Sequence, residues 1–261
     1  MFLIDSHCHL DCLDYKNIHK DIDDVIKKAE LKEIKYILSV ATTLSNFIKM
    51  KKEIGCRKNV GFSCGIHPLN LNKDDNFNLL LNIASNPEVL ALGETGLDYY
   101  HQNYNMQLQE KSLRAHIRIA RQLNKPVIIH SRASKNPILS ILREENIRDC
   151  GGILHSFTED KHTAKILLDL GIYISFSGII TFRSSEEIRQ VARFIPLNRM
   201  LIESDAPYLS PIPYRGSENQ PAYVRQVAKC LAKLKNVDLE TIAEITTKNF
   251  TELMHLKLTI D

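Results

Sequence analysis

The sequence predicts an α/β fold in which eight strands and their helices close into a (β/α)8 TIM-like barrel. Three observations predict it. Eight short apolar, β-branched runs recur along the 261 residues at intervals of about 30 residues, the size of one βα unit. Helical patterns lie between them. An open doubly wound sheet would place a Gly-rich loop after the first strand, and that position reads Asp5-Ser6-His7-Cys8-His9 instead. The length suits a single barrel domain over 1–261, because such barrels take about 250 residues.

The strands are expected at Phe2–Asp5, Tyr36–Ala41, Val60–Ile66, Val89–Gly93, Val127–His130, Gly152–His155, Tyr173–Ser177 and Met200–Glu203. Several are nearly continuous apolar runs, as strands buried on both faces of a parallel sheet require. Among the helices, Asn105–Leu123 carries Met106, Leu113, Ile117 and Ala120 at helical spacing. Pro126 then marks entry to the next strand. Ser184 and Glu187 have the spacing of a capping box and predict a helix start. Ala222–Leu234 and Leu239–Leu253 close the chain as two helices.

Composition narrows the function classes. Hydrophobic residues are 44% and charged residues 25%, which excludes a disordered chain, a fibre and a small disulfide-stapled scaffold. Thirty-four Lys and Arg against 31 Asp and Glu leave +3, too little for a nucleic-acid coat protein with a strong global field, though a local basic groove is compatible. No stretch approaches 18 consecutive apolar residues, so no membrane span is expected. The start, MFLIDSHCHL, lacks a positive region and carries Asp5 almost at once, unlike a signal peptide. A cytoplasmic location is the expectation. The six cysteines form no C-x-x-C pair. Cys8 and Cys12 form a C-x3-C, but better ligands surround it, and scattered cysteines in a reducing compartment are usually small core residues.

A barrel enzyme keeps its site at the C-terminal ends of its strands. Five of the ten histidines fall there: His7, His9, His67, His130 and His155. Residues two apart on a strand share a face, so the H-x-H of His7 and His9 presents two imidazoles to one point, and neutral imidazole ligates zinc and similar metals. His130 after Val127-Ile128-Ile129 and His155 after Ile153-Leu154 would each pass alone as a satisfied core histidine. Glu94 after Ala91-Leu92-Gly93 and Asp205 after Leu201-Ile202 are harder to explain that way. A carboxylate in a buried strand costs several kcal/mol unless it is paired or metal-bound. Four histidines and two carboxylates suit one or two divalent ions. The mixed nitrogen and oxygen donors leave Mg, Mn, Zn, Co and Ni open.

These segments resemble the TatD-type metal-dependent hydrolases, a deoxyribonuclease family of the amidohydrolase-like barrel superfamily, and its bacterial YcfH-like branch in particular. The resemblance is carried by Asp5-Ser6-His7-Cys8-His9-Leu10, Gly65-Ile66-His67-Pro68, Gly93-Glu94-Thr95-Gly96-Leu97-Asp98-Tyr99, Lys125–Arg132, His155-Ser156-Phe157-Thr158 and Glu203–Leu209, with Ser175–Gly178 and Arg215–Pro221 as further pieces. It spans nearly the whole chain in order. One departure is Ala133-Ser134, where many relatives carry an acidic step; the loop lies at the site rim and bears on substrate preference.

The resemblance implies two divalent cations per subunit. His7, His9 and Asp205 would hold the first, His130 and His155 the second, and Glu94 would bridge them. His67 would face the substrate and Arg132 would meet an anionic group. Glu203 would orient a ligand or water, or pair with Arg132. The implied chemistry is hydrolysis by metal-activated water, with Asp205 and Glu94 as the catalytic carboxylates and Asp205 the candidate for proton transfer. DNA phosphodiesters are the first substrate expectation. The alternative is cleavage of a C–N or C–O bond in a small metabolite. Arg132, Arg183 and Arg215 fall in loops after strands five, seven and eight, where phosphates would meet them. A monomer without an obligate protein partner is expected.

Overall fold

Each of the eight apolar runs forms a strand in the computed structural model, which describes residues 2–101 and 105–258. The strands are β1 (Leu3–Cys8), β2 (Ile34–Val40), β3 (Val60–Cys64), β4 (Val89–Asp98), β5 (Val127–Arg132), β6 (Gly152–Leu154), β7 (Tyr173–Phe176) and β8 (Met200–Ile202). They pair in chain order, every neighbour parallel, into a nearly closed barrel. The helices are α1 (Ile22–Glu30), α2 (Leu44–Ile54), α3 (Phe77–Ala84), α4 (Met106–Leu123), α5 (Lys135–Glu144), α6 (Lys161–Asp169), α7 (Glu186–Phe194), α8 (Val224–Lys235) and α9 (Leu239–Leu253).

Strand alternation sorts the apolar side chains into two cores. Leu3, Ile37, Phe62, Ile129 and Ile174 belong to the outer layer between strands and helices. Ile4, Leu38, Val40, Ala91, Ile128 and Leu201 fill the barrel interior. Phe250 and Leu253 of α9 join this inner cluster. Asn249 of the same helix donates to the carbonyls of Leu197 and Met200, 2.8 Å each, tying α9 to the start of β8.

Three strands, β1, β4 and β5, outrun the ends expected from their apolar runs, and β1 and β4 do so through bulges. Between Asp5 and Cys8, β1 advances three residues while β2 advances two, from Ile37 to Ser39. Between Leu92 and Thr95, β4 advances three while β5 advances two, from Val127 to Ile129. An extra residue bends the strand and re-aims its side chains. The bulges fall on Ser6-His7 and on Gly93-Glu94. Glycine is needed beside the second. Gly96 has φ 149°, and a β-carbon there would lie 2.1 Å from the His130 carbonyl oxygen.

Helix starts follow their polar caps. Asp21, Thr43, Asn76, Asn105, Asp160 and Asp238 each accept a backbone N–H of the first turn. The capping box expected from Ser184 and Glu187 does not form. Helix α7 begins at Glu186, and the side chain of Ser185 before it makes no cap bond. Arg189 instead donates to the carbonyls of Ile180, Phe182 and Arg183, so the loop is organised from the helix's second turn. The C-x3-C pair separates: Cys8 is buried in the outer core and Cys12 is exposed. Among the described residues no helix is long and apolar enough to cross a membrane.

Candidate metal centre

The polar strand ends converge on Glu94. Its Oε2 lies 3.5 Å from His7 Nε2 and 3.7 Å from His9 Nε2. Asp205 Oδ1 is 3.7 Å from each of the same two nitrogens, which stand 3.3 Å apart. An ion holding four donors tetrahedrally at about 2.1 Å would set them about 3.4 Å from one another. His7, His9 and Glu94, 3.3 to 3.7 Å apart, form a group of three donors at that spacing, and Asp205 stands at 3.7 Å from the two imidazoles. The other oxygen, Glu94 Oε1, lies 3.0 Å from His130 Nδ1 and 2.8 Å from His155 Nε2, and these nitrogens are 3.4 Å apart. His67 Nε2 stands 3.5 Å from Glu94 Oε1. One carboxylate therefore serves two groups of donors through different oxygens.

Local structure aims each ring. The bulge in β1 turns His7 inward, and His9 follows the strand end with its Nδ1–H donating to the Val40 carbonyl at 2.9 Å. That bond leaves the His9 Nε2 lone pair facing the cluster. His155 stacks on His7 with ring centres 4.1 Å apart, and its Nδ1 faces Glu203 Oε1 at 3.4 Å. Asp205 has φ 56°, a left-handed conformation that Asp tolerates better than most residues. Its N–H donates to the His7 carbonyl at 2.9 Å, so the loop after β8 hangs from β1.

Burial and charge then set protonation. Burial lowers the His7 and His67 imidazoles to about 4, so both are neutral near pH 7. Burial opposes the Glu94 charge, but the facing His155, His67 and His130 hold its carboxyl well below the usual range. Burial likewise opposes a charged His155, yet the carboxylates of Glu94 and Glu203 raise it well above its usual value. Asp205 is pushed well up by burial, and the charges of Glu203 and Glu94 add to the push. Burial and those two carboxylates outweigh the opposing His155 and His130, and a divalent cation held among these donors would favour the charged form of Asp205.

The sequence pattern of the TatD related DNases matches residues 4–255. The uncharacterized metal-dependent hydrolase YcfH of Escherichia coli strain K12 is 55% identical over 98% of this chain and 97% of its own. The chain belongs to the TatD family of metal-dependent hydrolases. The uncharacterized metal-dependent hydrolase YabD of Bacillus subtilis strain 168 is 32% identical over 97% of this chain and 99% of its own. The crystal structure of the TatD homologue YjjV from Escherichia coli K12 superposes with a TM-score of 0.90 at 26% identity, covering 98% of both chains.

In this TatD-family barrel, His7, His9, Glu94, His130, His155 and Asp205 all meet at one mouth, lining or underlying a cavity of about 490 Å³. His67 and Arg132 line the same cavity. The Leu69 N–H donates to His67 Nδ1 at 3.2 Å, so the neutral ring carries its proton on Nε2 and points a donor into the mouth. Glu203 stands apart from Arg132. It is fully buried behind His155 and accepts the Ser156 N–H at 2.7 Å, whereas the Arg132 guanidinium lies 4.0 Å over the Tyr100 ring. Arg183 is exposed, and Arg215 stacks 3.8 Å over Phe182. At the Ala133-Ser134 departure, the Ser134 hydroxyl donates to the Leu97 carbonyl at 2.9 Å and pins the rim loop to β4.

Two carboxylates at the site went unselected by sequence reasoning. Asp5 accepts from Ser204, and Asp98 Oδ2 lies 3.2 Å from His130 Nε2. Both are almost fully buried. For Asp5 the available signal was a charged residue ending an apolar run, the same one that selected Glu94, whereas Asp98 lies beyond the apolar run of its strand and carried no such signal.

Proposed function

We propose that this TatD-family hydrolase cleaves phosphodiester bonds in DNA at a centre of two divalent cations. The observation that carries the reading is the division of Glu94, whose two oxygens face separate donor groups. On this reading His7, His9, Glu94 and Asp205 hold one cation, and Glu94, His130 and His155 hold the other. Bound there, divalent cations lower the pKa of water toward about 7 and polarise the scissile group.

The chain's own residues do the rest. Asp205 takes the proton of the attacking water on Oδ2, the oxygen left over when Oδ1 faces His7 and His9. His67 donates its Nε2–H to a non-bridging phosphate oxygen. Arg132, laid flat on Tyr100, offers its guanidinium edge to a phosphate. Glu203 holds the His155 ring in place from behind. The chain acts as one catalytic domain and as a monomer. Its six unpaired cysteines fit a reducing, cytoplasmic setting. The cavity volume of about 490 Å³ also fits a small metabolite, which keeps C–N or C–O hydrolysis as the second reading.

The test is hydrolysis of single-stranded and double-stranded DNA by metal-stripped protein, with Mg, Mn, Co, Ni and Zn restored singly. Cleavage that returns with metal and is lost in Asp205→Asn supports the nuclease. No cleavage by protein shown to bind two ions sinks it and leaves esters and amides of small metabolites.

A further inference from the structure

His130 differs from the other rings around Glu94. His7, His9, His67 and His155 turn Nε2 toward the cluster, whereas His130 turns Nδ1. Its remaining nitrogen, Nε2, meets Asp98 Oδ2 at 3.2 Å. Asp98 ends β4 and is itself held from two sides. Its Oδ1 accepts the Tyr100 N–H at 3.1 Å. The side-chain amide of Gln109, buried on α4, grips its backbone: Gln109 Oε1 accepts the Asp98 N–H at 2.9 Å, and Nε2 donates to the Asp98 carbonyl at 3.2 Å. A buried amide committed to both backbone groups of one residue fixes where that carboxylate stands.

We infer that Asp98, clamped by Gln109, is a positioning residue that keeps the His130 proton on Nε2 and so makes His130 present Nδ1 to Glu94 and the cation position beside it. An imidazole has one donor and one acceptor nitrogen when neutral, and the partner of one nitrogen decides the role of the other. A carboxylate accepts only, so Asp98 holds the proton on Nε2. It also raises the basicity of the ring as a ligand, as partners behind metal-bound histidines do. A buried pair that serves the fold alone would stabilise the protein without regard to which nitrogen faces the centre.

The inference rests on the two-cation reading above, and its tests separate the two. In the cobalt-loaded protein, Asp98→Asn is expected to weaken one cation position by about 10- to 100-fold in chelator competition and leave the other unchanged. In a His130→Ala background the same change is expected to add no further loss, because Asp98 acts through that ring. Wild-type affinity at both positions in Asp98→Asn, or a full additional loss without His130, overturns the inference. Wild-type protein with nitrogen-15 histidine and cadmium-113 gives an answer that needs no variant. Coupling from cadmium to His130 Nδ1 is expected, and coupling to Nε2 overturns the positioning role. Cadmium that couples to no histidine overturns the two-cation reading itself, and this inference with it.

Discussion

The Asp5 carboxylate accepts both the backbone N–H of Ser204, at 2.8 Å, and its hydroxyl, at 2.5 Å. This contact sits at the seam of the barrel. The strand ladders run from β1 round to β8, and among the described residues β1 and β8 meet through loop and side-chain bonds instead. The His9 N–H donates to the Ala206 carbonyl at 2.8 Å and the Ser6 hydroxyl to the Ile202 carbonyl at 2.9 Å. Closure and site assembly are therefore one event, since the segment that closes the seam carries Asp205.

Asp5→Ala leaves the buried Ser204 N–H without a partner, which costs about 2–3 kcal/mol. The expected result is a lower urea midpoint with an unchanged denaturant slope, and a loss of metal content because Asp205 is displaced. A variant as stable and as metal-rich as the parent would show that the seam does not depend on this bond.

Asp205→Asn removes the carboxylate proposed to accept the proton while keeping its size. Turnover is expected to fall by at least about 10²-fold, with the unfolding midpoint of the metal-free protein nearly unchanged. Unaltered kcat would take Asp205 out of the mechanism.

His7→Ala combined with His9→Ala removes two donors that face Glu94 Oε2 and spares those that face Oε1. Elemental analysis is expected to show one cation fewer per chain. Full stoichiometry in the double variant would exclude a cation position at β1.

Salt separates the two substrate readings. Cleavage of DNA is expected to weaken steeply as salt rises, because cations released from the phosphates oppose binding. Arg132→Ala is expected to raise KM for DNA about 10-fold at low salt, the worth of one charged hydrogen bond. Activity on a neutral ester that outlasts DNA cleavage at high salt would point to the small-metabolite reading.

His116 predicts an acid limit to stability away from the centre. It is fully buried on α4, where Nε2 accepts the Ile66 N–H at 3.1 Å and Nδ1–H donates to the Ser112 carbonyl at 2.8 Å. Burial lowers its pKa from 6.5 to about 4. The unfolded chain then binds a proton that the folded one refuses, so stability is present above pH 6.5 and is lost as pH falls toward 4. The difference corresponds to about 3 kcal/mol. Urea unfolding at pH 7 and pH 4.5 is expected to show a smaller loss in His116→Gln than in the parent. Equal losses would assign the acid sensitivity to other groups.

Much of this molecule was legible in its residues. Apolar runs such as Val127-Ile128-Ile129 located the strands, because a strand buried on both faces has little room for anything else. Carboxylates stranded at Glu94 and Asp205 marked the mouth, because burying a charge without a partner is costly. The H-x-H of His7 and His9 was read by simple alternation. The structure reaches the same convergence by another route, with His7 in a bulge and His9 beyond the strand end. Ser184 and Glu187 were misread because a capping spacing is local, and Arg189 from the following turn organised that loop instead.

By itself, the sequence determined the eightfold alternation of strand and helix, the family, and the residue types gathered at the strand ends. These follow from hydrophobic period and from the cost of burying charge, both of which are written in one dimension. Only the tertiary structure decided that Glu94 splits its oxygens between two donor groups, that His130 turns Nδ1 inward with Asp98 behind it, and that Glu203 sits behind His155, apart from Arg132. Each of these is a distance between residues far apart in the chain, or a choice between two nitrogens of one ring. Barrel closure and the register of two bulges set them, and neither leaves a local pattern to read.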